Sequence, residues 1–261
     1  MSVAKQRIDV LMFERGLAPS REKARAMIMA GEVLVNDQPI SKPGASVELN
    51  ANIIVKSKPR FVSRGGEKLA WALETFGINV AERICADVGA STGGFTDCLL
   101  QNGAARVYAI DVGYGQIDYT LRQDNRVIVI ERTNARYLEK LAEPVNFVTV
   151  DASFISLKIL LPTIKNWLQP SSDLVLLIKP QFEAGREEVG KGGVVRDAKT
   201  HKRVLIDVLT ALRQMNFNIK GLTISPIKGP AGNTEFLTWL NFGIPSDTSL
   251  DIDVLVASVL P

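Results

Sequence analysis

Apolar runs alternate with stretches of helical spacing over most of the chain. The apolar runs lie at 84–88, 105–110, 127–130, 145–150 and 173–178, and the helical stretches at 93–102, 114–122, 136–142 and 156–168. This alternation predicts a parallel sheet with crossover helices. The remaining pattern predicts a helix over 199–215, two closing strands over 219–225 and 236–242, and a short helix in the tail at 251–260. We therefore predict an α/β domain with a seven-stranded, mostly parallel sheet.

The first sixty residues follow a different pattern, which predicts a separate small domain. Short helices are predicted over 7–16 and 20–31, and a small sheet from apolar residues at 33–35 and 47–55. Ser20 has the position of an N-cap for the second helix. Residues 56–66 break the periodicity and contain a proline and two glycines, as a connection between domains does. We predict a small α+β domain over 1–57, a linker over 58–64 and the large domain over 65–261.

Composition limits the class of protein. The chain has 261 residues, of which 46% are hydrophobic and 23% charged, as in an ordinary globular protein. No apolar run approaches the roughly 18 residues of a membrane span, and the first residues are too polar for a signal peptide. Two cysteines do not make a disulfide framework, and one histidine leaves no metal cluster to assemble. We expect a cytoplasmic protein without a metal or a membrane segment.

Charge is distributed unevenly along the chain. Residues 1–60 contain ten Lys or Arg and six Asp or Glu, a net charge of +4, while the remainder carries −1. A basic module on a near-neutral body indicates a nucleic-acid partner. A solvated basic face would give the same charge pattern, so charge alone leaves both interpretations open.

The first strand of the large domain ends in a glycine-rich loop. Asp87 is followed by a Gly-x-x-x-Gly-Gly spacing over 89–94, which differs from the Gly-x-Gly-x-x-Gly of dinucleotide folds. A carboxylate at the mouth of such a loop suits a cationic ligand, and S-adenosylmethionine carries a sulfonium and an ammonium. Asp111 ends the next apolar run, where an acid can bind ribose hydroxyls. This arrangement resembles the cofactor site of Rossmann-like methyltransferases, although a plain turn with glycines for packing is an alternative.

Ionisable residues also close two later strands. Asp151 follows one apolar run and Lys179 the next, and Pro180 ends that strand directly afterwards. Such groups at the ligand-binding edge of a sheet are functional candidates, with a buried ion pair as the structural alternative. Lys68 lies in the first turn of a predicted helix, where an exposed lysine opposes the helix dipole, so solvent or a nearby acid must compensate.

The N-terminal segment resembles the S4 RNA-binding domain. The resemblance rests on Arg7-Ile8-Asp9, Gly16-Leu17-Ala18, 20–25, Ile28 and 31–36. It implies that Arg7, Arg21, Lys23 and Arg25 meet RNA phosphates, which gives affinity and orientation rather than choice of sequence.

Four segments of the large domain carry a closer resemblance. Residues 61–69, 87–95, 150–156 and 178–183 look like those of the hemolysin A-type ribosomal RNA methyltransferases, in which an S4 domain is fused to an FtsJ-type domain. The resemblance implies a Rossmann-like class I methyltransferase domain that uses S-adenosylmethionine. It implies methylation of a ribose 2′-hydroxyl in ribosomal RNA or ribosomal subunits, with a cytidine as the expected target. The family's Lys-Asp-Lys-Glu tetrad falls on Lys68, Asp151, Lys179 and Glu235.

The same resemblance implies a set of cofactor contacts. These are Asp87, Gly89, Ser91, Thr92, Gly93, Gly94, Phe95 and Asp111, with Asn134 as an expected contact of the adenine edge. Lys179 is either a general base or a charge that stabilises the developing oxyanion. Two other functions stay open: a catalytically silent RNA-binding protein of ribosome assembly, and a hemolysin.

Overall fold

The computed structural model describes residues 4–56, 59–243 and 250–260. The chain divides into two compact units, Met1–Pro59 and Arg60–Pro261. Residues 60–64, part of the linker predicted from sequence, therefore fall in the second unit. The side chain of Phe61 is 3% exposed and belongs to the hydrophobic core of that unit, because Gly66 leaves room for its ring.

The first unit is a small α+β domain. Its elements are β1 (Lys5–Arg7), α1 (Ile8–Glu14), α2 (Arg21–Met29), β2 (Val33–Val35), β3 (Gln38–Pro39), β4 (Ser46–Glu48) and β5 (Ile53–Val55). Strand β1 pairs with β4, and β2 pairs with β3 and β5, all antiparallel. Ser20 Oγ accepts a hydrogen bond from Lys23 N at 3.1 Å, so the predicted N-cap of α2 is present. Buried residues of both helices, including Ile8, Met12 and Ile28, form the core.

A seven-stranded sheet forms the centre of the second unit. Its strands are β6 (Ile84–Val88), β7 (Arg106–Ile110), β8 (Val127–Ile130), β9 (Val145–Val150), β10 (Leu168–Ile178), β11 (Phe217–Ile224) and β12 (Phe236–Phe242). The spatial order is β11-β12-β10-β9-β6-β7-β8, in which β12 is antiparallel to both neighbours and the other pairings are parallel. This architecture confirms the predicted seven-stranded, mostly parallel sheet.

Helices cover both faces of this sheet. They are α3 (Gly65–Phe76), α4 (Gly94–Gln101), α5 (Tyr119–Arg122), α6 (Leu157–Ile164), α7 (Pro180–Glu183), α8 (Ala198–Gln214) and α9 (Ile252–Val259). Alternate residues of a central strand face opposite layers: Ala86 packs in the layer with α6 and α8, and Cys85 in the layer with α3 and α4. Among the described residues, no helix is long and apolar enough to cross a membrane.

Two predicted helices are shorter than the sequence pattern indicated. The stretch 114–122 forms only the single turn of α5, because Gly115 adopts a φ of +69° and Asp118 caps the helix three residues later. The stretch 136–142 contains only the 3-10 turn Ala135–Tyr137, capped by the side chain of Asn134. The predicted tail helix is present as α9.

Candidate active site

The site lies where the order of the strands reverses. The chain runs from β6 outward to β7 and β8 and then returns to β9 on the other side of β6. Loops leaving the carboxyl ends of β6 and β9 therefore diverge and open a crevice, which is where open α/β sheets bind ligands. Asp151 directly follows β9, and the glycine loop directly follows β6.

Backbone packing explains why a glycine begins this loop. Gly89 has a φ of +85°, and a Cβ there would lie 2.6 Å from the carbonyl oxygen of Asp151. The amide nitrogens of Gly89 and Ala90 both donate to the carbonyl of Ile110, at 2.9 and 3.1 Å. Glycine at this position lets the two strand ends approach each other while the loop turns toward α4.

Asp111 stabilises the far side of the loop. Its Oδ2 accepts a hydrogen bond from Ser91 N at 2.8 Å, and its Oδ1 accepts one from Gly113 N at 2.7 Å. Because Ser91 has a φ of +49°, the carboxylate holds the loop in a conformation that is uncommon for a non-glycine residue. The carboxylate also lines the crevice, as expected of a residue that binds a cofactor ribose.

Two cavities open from this crevice and share Asp151. The larger, of about 890 Å³, is lined by residues that include Asp111, Asn134, Asp151, Phe154 and Phe182. The smaller, of about 220 Å³, is lined by residues that include Arg64, Lys68, Thr92, Asp151 and Lys228. The two cavities are therefore adjacent at the carboxyl ends of β6 and β9.

The expected cofactor residues divide between these cavities. Gly89 and Ser91 line both, Asp111 and Asn134 line the larger, and Thr92, Gly94 and Phe95 line the smaller. Gly93 lies beneath the loop, where a Cβ would meet Leu121 at 2.3 Å. The side-chain oxygen of Asn134 accepts a hydrogen bond from Arg136 N at 3.0 Å, so this residue also shapes its own turn.

Asp87 does not lie at the mouth of the loop, where the sequence pattern placed it. Its side chain is fully buried and lines neither cavity. Oδ2 accepts a hydrogen bond from Thr96 Oγ1 at 2.7 Å and Oδ1 one from Thr149 Oγ1 at 3.0 Å, which links β6 to α4 and β9. Burial raises the pKa of this carboxyl to about 7, because removal from water disfavours its charged form.

Two buried lysines each contact an acid at the crevice. Lys179 Nζ lies 2.6 Å from Asp151 Oδ1 and also donates to Ser153 Oγ at 3.0 Å. Lys68 Nζ donates to Glu235 Oε2 at 2.6 Å. Of the two compensations left open for Lys68, solvent or a nearby acid, the structure shows the acid: the residue is only 7% exposed and Glu235 is its partner.

Sheet register places Glu235, the fourth residue of the expected tetrad, at the same edge of the sheet as Lys179. Ile178 and Phe236 are paired between β10 and β12, so Lys179 and Glu235 flank this pair at the same edge of the sheet. Gly229 allows its loop to cover Glu235, since a Cβ there would lie 2.4 Å from Oε1. Asn233 fastens the neighbouring loops by accepting from Val195 N and donating to the carbonyl of Gly193.

Several residues at the site were not singled out from the sequence. Phe154 is 90% exposed at the larger cavity, and its ring centroid lies 4.9 Å from that of Phe182. Each aromatic residue comes three residues after a tetrad member, Asp151 or Lys179, and that spacing was the available signal. Arg64 and Lys228 add exposed positive charge to the smaller cavity.

The residues expected to meet RNA lie on the first unit. Arg7 and Arg21 converge on the carboxylate of Asp9, and Lys23 and Arg25 are exposed on α2.

Among the residues that the structure describes, no group of three His, Cys, Asp or Glu could hold a metal ion.

The sheet order and a ligand crevice at its switch point define a Rossmann-like methyltransferase fold. A family profile described as FtsJ-like methyltransferase matches residues 61–242, and one described as S4 domain matches residues 6–53. The chain belongs to the FtsJ-like methyltransferase family and carries an S4 domain ahead of the methyltransferase domain.

Relatives and a solved structure match over most of the chain. A Bacillus subtilis protein, YqxC, named as a candidate rRNA methyltransferase, is 50% identical over 93% of this chain and 88% of its own length. The 16S/23S rRNA (cytidine-2'-O)-methyltransferase TlyA of Mycobacterium tuberculosis is 45% identical over 90% of this chain and 89% of its own. A solved structure described as a candidate hemolysin, from Streptococcus thermophilus, is 43% identical with a TM-score of 0.71, covering 98% of this chain and 96% of that one. The resemblance inferred from the motifs is confirmed.

Proposed function

We propose that this protein transfers a methyl group from S-adenosylmethionine to the 2′-hydroxyl of a cytidine in ribosomal RNA. The observation that carries the proposal is the position of Asp151, which is shared by the two cavities and paired with the buried Lys179. A donor in one cavity and a ribose in the other would meet beside this pair. Work on ribosomal RNA also implies a location in the cytoplasm.

The larger cavity fits S-adenosylmethionine. Its volume of about 890 Å³ suits a ligand of this size, and the carboxylate of Asp111 at its wall can accept hydrogen bonds from ribose hydroxyls. The backbone at Gly89 and Ser91 lines both cavities and would lie beside the methionine part. When bound, the cofactor supplies an electrophilic methyl group on a sulfonium.

The chain's own residues then position and stabilise the nucleophile. As the oxygen–carbon bond forms and the sulfur–carbon bond breaks, the hydroxyl loses its proton, which passes to water when Lys179 is already charged. Lys179, held by Asp151 and Ser153, offers an ammonium whose charge stabilises the developing oxyanion. A deprotonated Lys179 would instead accept the proton itself. Alignment of the three reacting atoms supplies the rest of the acceleration.

Features around the cavities support an RNA substrate. The exposed ring of Phe154, braced by Phe182, presents a flat surface on which a nucleobase can stack. Arg64 and Lys228 supply positive charge where the phosphates beside the target ribose would lie. The S4 domain adds a second RNA-binding surface.

Transfer of a radiolabelled methyl group tests the proposal. The full chain is incubated with labelled S-adenosylmethionine and with each ribosomal subunit separately, and methylated nucleotides are mapped by their resistance to alkaline cleavage. The expected result is label on a cytidine ribose. A folded protein that binds S-adenosylmethionine and ribosomal RNA but transfers no methyl group would support the silent assembly protein instead, and dye leakage from liposomes would support the hemolysin.

A further inference from the structure

A buried acid lies between two arginines in the S4 domain. The side chain of Asp9, in the first turn of α1, is fully buried. Arg7 donates to it twice, from Nε to Oδ1 at 2.9 Å and from Nη2 to Oδ2 at 2.8 Å. Arg21 Nη2 lies 3.6 Å from the same Oδ2. One carboxylate therefore holds two guanidinium groups, one preceding α1 and one on α2.

Both arginines still face solvent. The side chains of Arg7 and Arg21 are 53% and 51% exposed, whereas that of Asp9 has no exposed surface. A Cβ on Gly44 would lie 3.7 Å from Cζ, Nη1 and Nη2 of Arg7 alike, so one face of this guanidinium is turned toward the chain at Gly44. A guanidinium has more donors than the two that Arg7 directs at Asp9, and the half-exposed side chain can offer the others to an acceptor in solvent.

This arrangement is suited to binding an anion as well as to stabilising the fold. The cluster carries two positive charges and one negative charge, so it keeps a net positive charge at the surface. The Arg7 guanidinium holds the pKa of Asp9 below its usual range, which keeps the carboxylate charged at neutral pH. Two long side chains that are already fixed lose little conformational entropy when a ligand binds.

We propose that Asp9 is a positioning residue that holds Arg7 and Arg21 together as one clamp for a single RNA phosphate. The proposal rests on the proposed function in one respect, namely that the ligand of this domain is RNA. Arg25 provides the comparison, since it lies one turn further along α2 on an exposed surface, outside the cluster around Asp9, and would contact RNA independently. Asp9 itself does not touch the RNA.

The sign of one charge change tests the role of Asp9. Asp9→Asn removes a negative charge from an RNA-binding surface, which by simple electrostatics strengthens binding to a polyanion. A positioning role predicts the opposite, a loss of about tenfold in affinity, because the arginines lose their shared anchor. Glu22→Gln is the matched control, because it removes an exposed acid beside Arg21 and should bind RNA equally well or more tightly. Tighter or unchanged binding by Asp9→Asn overturns the proposal.

Affinities are measured with the full chain and labelled transcripts of both large ribosomal RNAs, over a series of salt concentrations and without cofactor. A clamp on one phosphate predicts that Arg7→Ala and Arg21→Ala are not additive, and that the double variant flattens the salt slope by about one phosphate contact. Arg21→Ala with Arg25→Ala should be additive and flatten it by about two. Additive losses of RNA affinity in Arg7→Ala and Arg21→Ala, with a salt slope flattened by about two phosphate contacts in the double variant, would overturn the single clamp. This test does not need Asp9→Asn to fold.

Methyl transfer and cofactor binding are measured on the same variants. Asp9→Asn should bind S-adenosylmethionine as the parent does and show a raised KM for RNA with an unchanged kcat. If Asp9→Asn binds RNA more weakly but the parent transfers no methyl group, the proposed reaction is wrong and the proposed clamp stands. If the parent transfers the methyl group but its RNA affinity does not change in Asp9→Asn, the clamp is wrong and the proposed reaction stands.

Discussion

The carboxylate of Glu235 and the ammonium of Lys68 lie 2.6 Å apart, and the two side chains are 1% and 9% exposed. The two residues are 167 positions apart in the sequence. The pair connects the first turn of α3 with the residue that precedes β12, so it also fixes the wall of the smaller cavity. Because each charge is hidden from water, each depends on the other for compensation.

Removal of one partner should therefore destabilise the methyltransferase domain. Glu235→Gln leaves the ammonium of Lys68 buried without its counter-charge, which lowers the free energy of unfolding by about 3–5 kcal/mol. Urea unfolding of the full chain measures this. The double variant Lys68→Met with Glu235→Gln should recover most of the stability while remaining inactive. A Glu235→Gln variant as stable as the parent would show that the pair contributes nothing to folding.

The charge of Lys179 is the basis of a second prediction. Lys179→Met keeps the length of the side chain and removes both its charge and its basic nitrogen. It should bind cofactor and RNA almost normally and lose methyl transfer by on the order of 100-fold or more. Single-turnover transfer of labelled methyl measures the rate. Near-parental turnover would return Lys179 and Asp151 to the role of a structural ion pair.

Lys179→Arg separates the two possible roles of the lysine. Arginine keeps the positive charge but cannot accept a proton near neutral pH. Substantial activity in this variant is expected if the charge stabilises the oxyanion, and it would eliminate the role of general base. The larger arginine side chain could displace its partner Asp151, which lines the larger cavity. Unchanged cofactor binding by the arginine variant is the control that excludes such a displacement.

Asp87 gives the stability of the protein a defined pH dependence. Its pKa is raised by burial to about 7 in the folded protein, while the unfolded value is the ordinary one. A raised carboxyl pKa means that the folded state keeps a proton that the unfolded state releases. The contribution of Asp87 to stability is therefore fully present below the ordinary pKa and is lost as pH rises through about 7.

Asp87→Asn removes this titration while keeping a side chain of the same shape. The stability of the parent relative to the variant should fall between the ordinary pKa of 3.8 and the folded pKa of about 7 and level off above it. The slope is at most about 1.4 kcal/mol per pH unit. Urea unfolding at several pH values measures the difference. A difference that is constant over this range, or that grows with pH, contradicts a buried carboxyl that is protonated in the folded state. Thr149→Val removes one of the hydrogen-bond donors that lower the pKa of Asp87, so the fall in stability should extend to higher pH.

Strand ends could be predicted from the sequence, whereas side-chain directions could not. Apolar runs mark buried strands in any parallel sheet, so Asp151 and Lys179 were identified by position alone. Asp87 was misplaced because it lies inside β6, which ends at Val88, and its side chain points toward Thr96 of α4 and Thr149 of β9 rather than into the loop. The helix pattern indicated that Lys68 needs solvent or an acid, but it could not identify Glu235, which lies 167 positions away just before β12.

Asp111 should contribute to cofactor affinity both directly and through the loop. Asp111→Ala removes the acceptor of the Ser91 and Gly113 amide bonds together with the carboxylate at the wall of the larger cavity. We expect S-adenosylmethionine to bind more weakly by about 1–3 kcal/mol, measured by calorimetry. Asp124→Ala, which removes a partly exposed acid paired with Arg126, is the control and should leave affinity unchanged. Parental affinity in a folded Asp111→Ala variant would exclude the assignment.

Gly89 links the backbone of the glycine loop to the position of Asp151. Gly89→Ala adds two costs: an alanine at a φ of +85°, and a Cβ placed 2.6 Å from the Asp151 carbonyl oxygen, which is backbone and cannot rotate away. Gly77 provides the control, since it has a φ of +65° and open space around its Cβ position. Gly77→Ala should therefore show the cost of the backbone conformation alone, about 1 kcal/mol in the free energy of unfolding.

Gly89→Ala should lower stability by more than Gly77→Ala and should also abolish most methyl transfer, because the end of β9 must move and carry Asp151 away from Lys179. A misplacement of about 1 Å at a reacting centre is sufficient for a loss on the order of 100-fold in rate. Urea unfolding and single-turnover kinetics on both variants measure the two effects. Equal losses of stability in the two variants, with methyl transfer retained in Gly89→Ala, would mean that the strand ends tolerate separation and that the close approach at Gly89 does not position the carboxylate of Asp151.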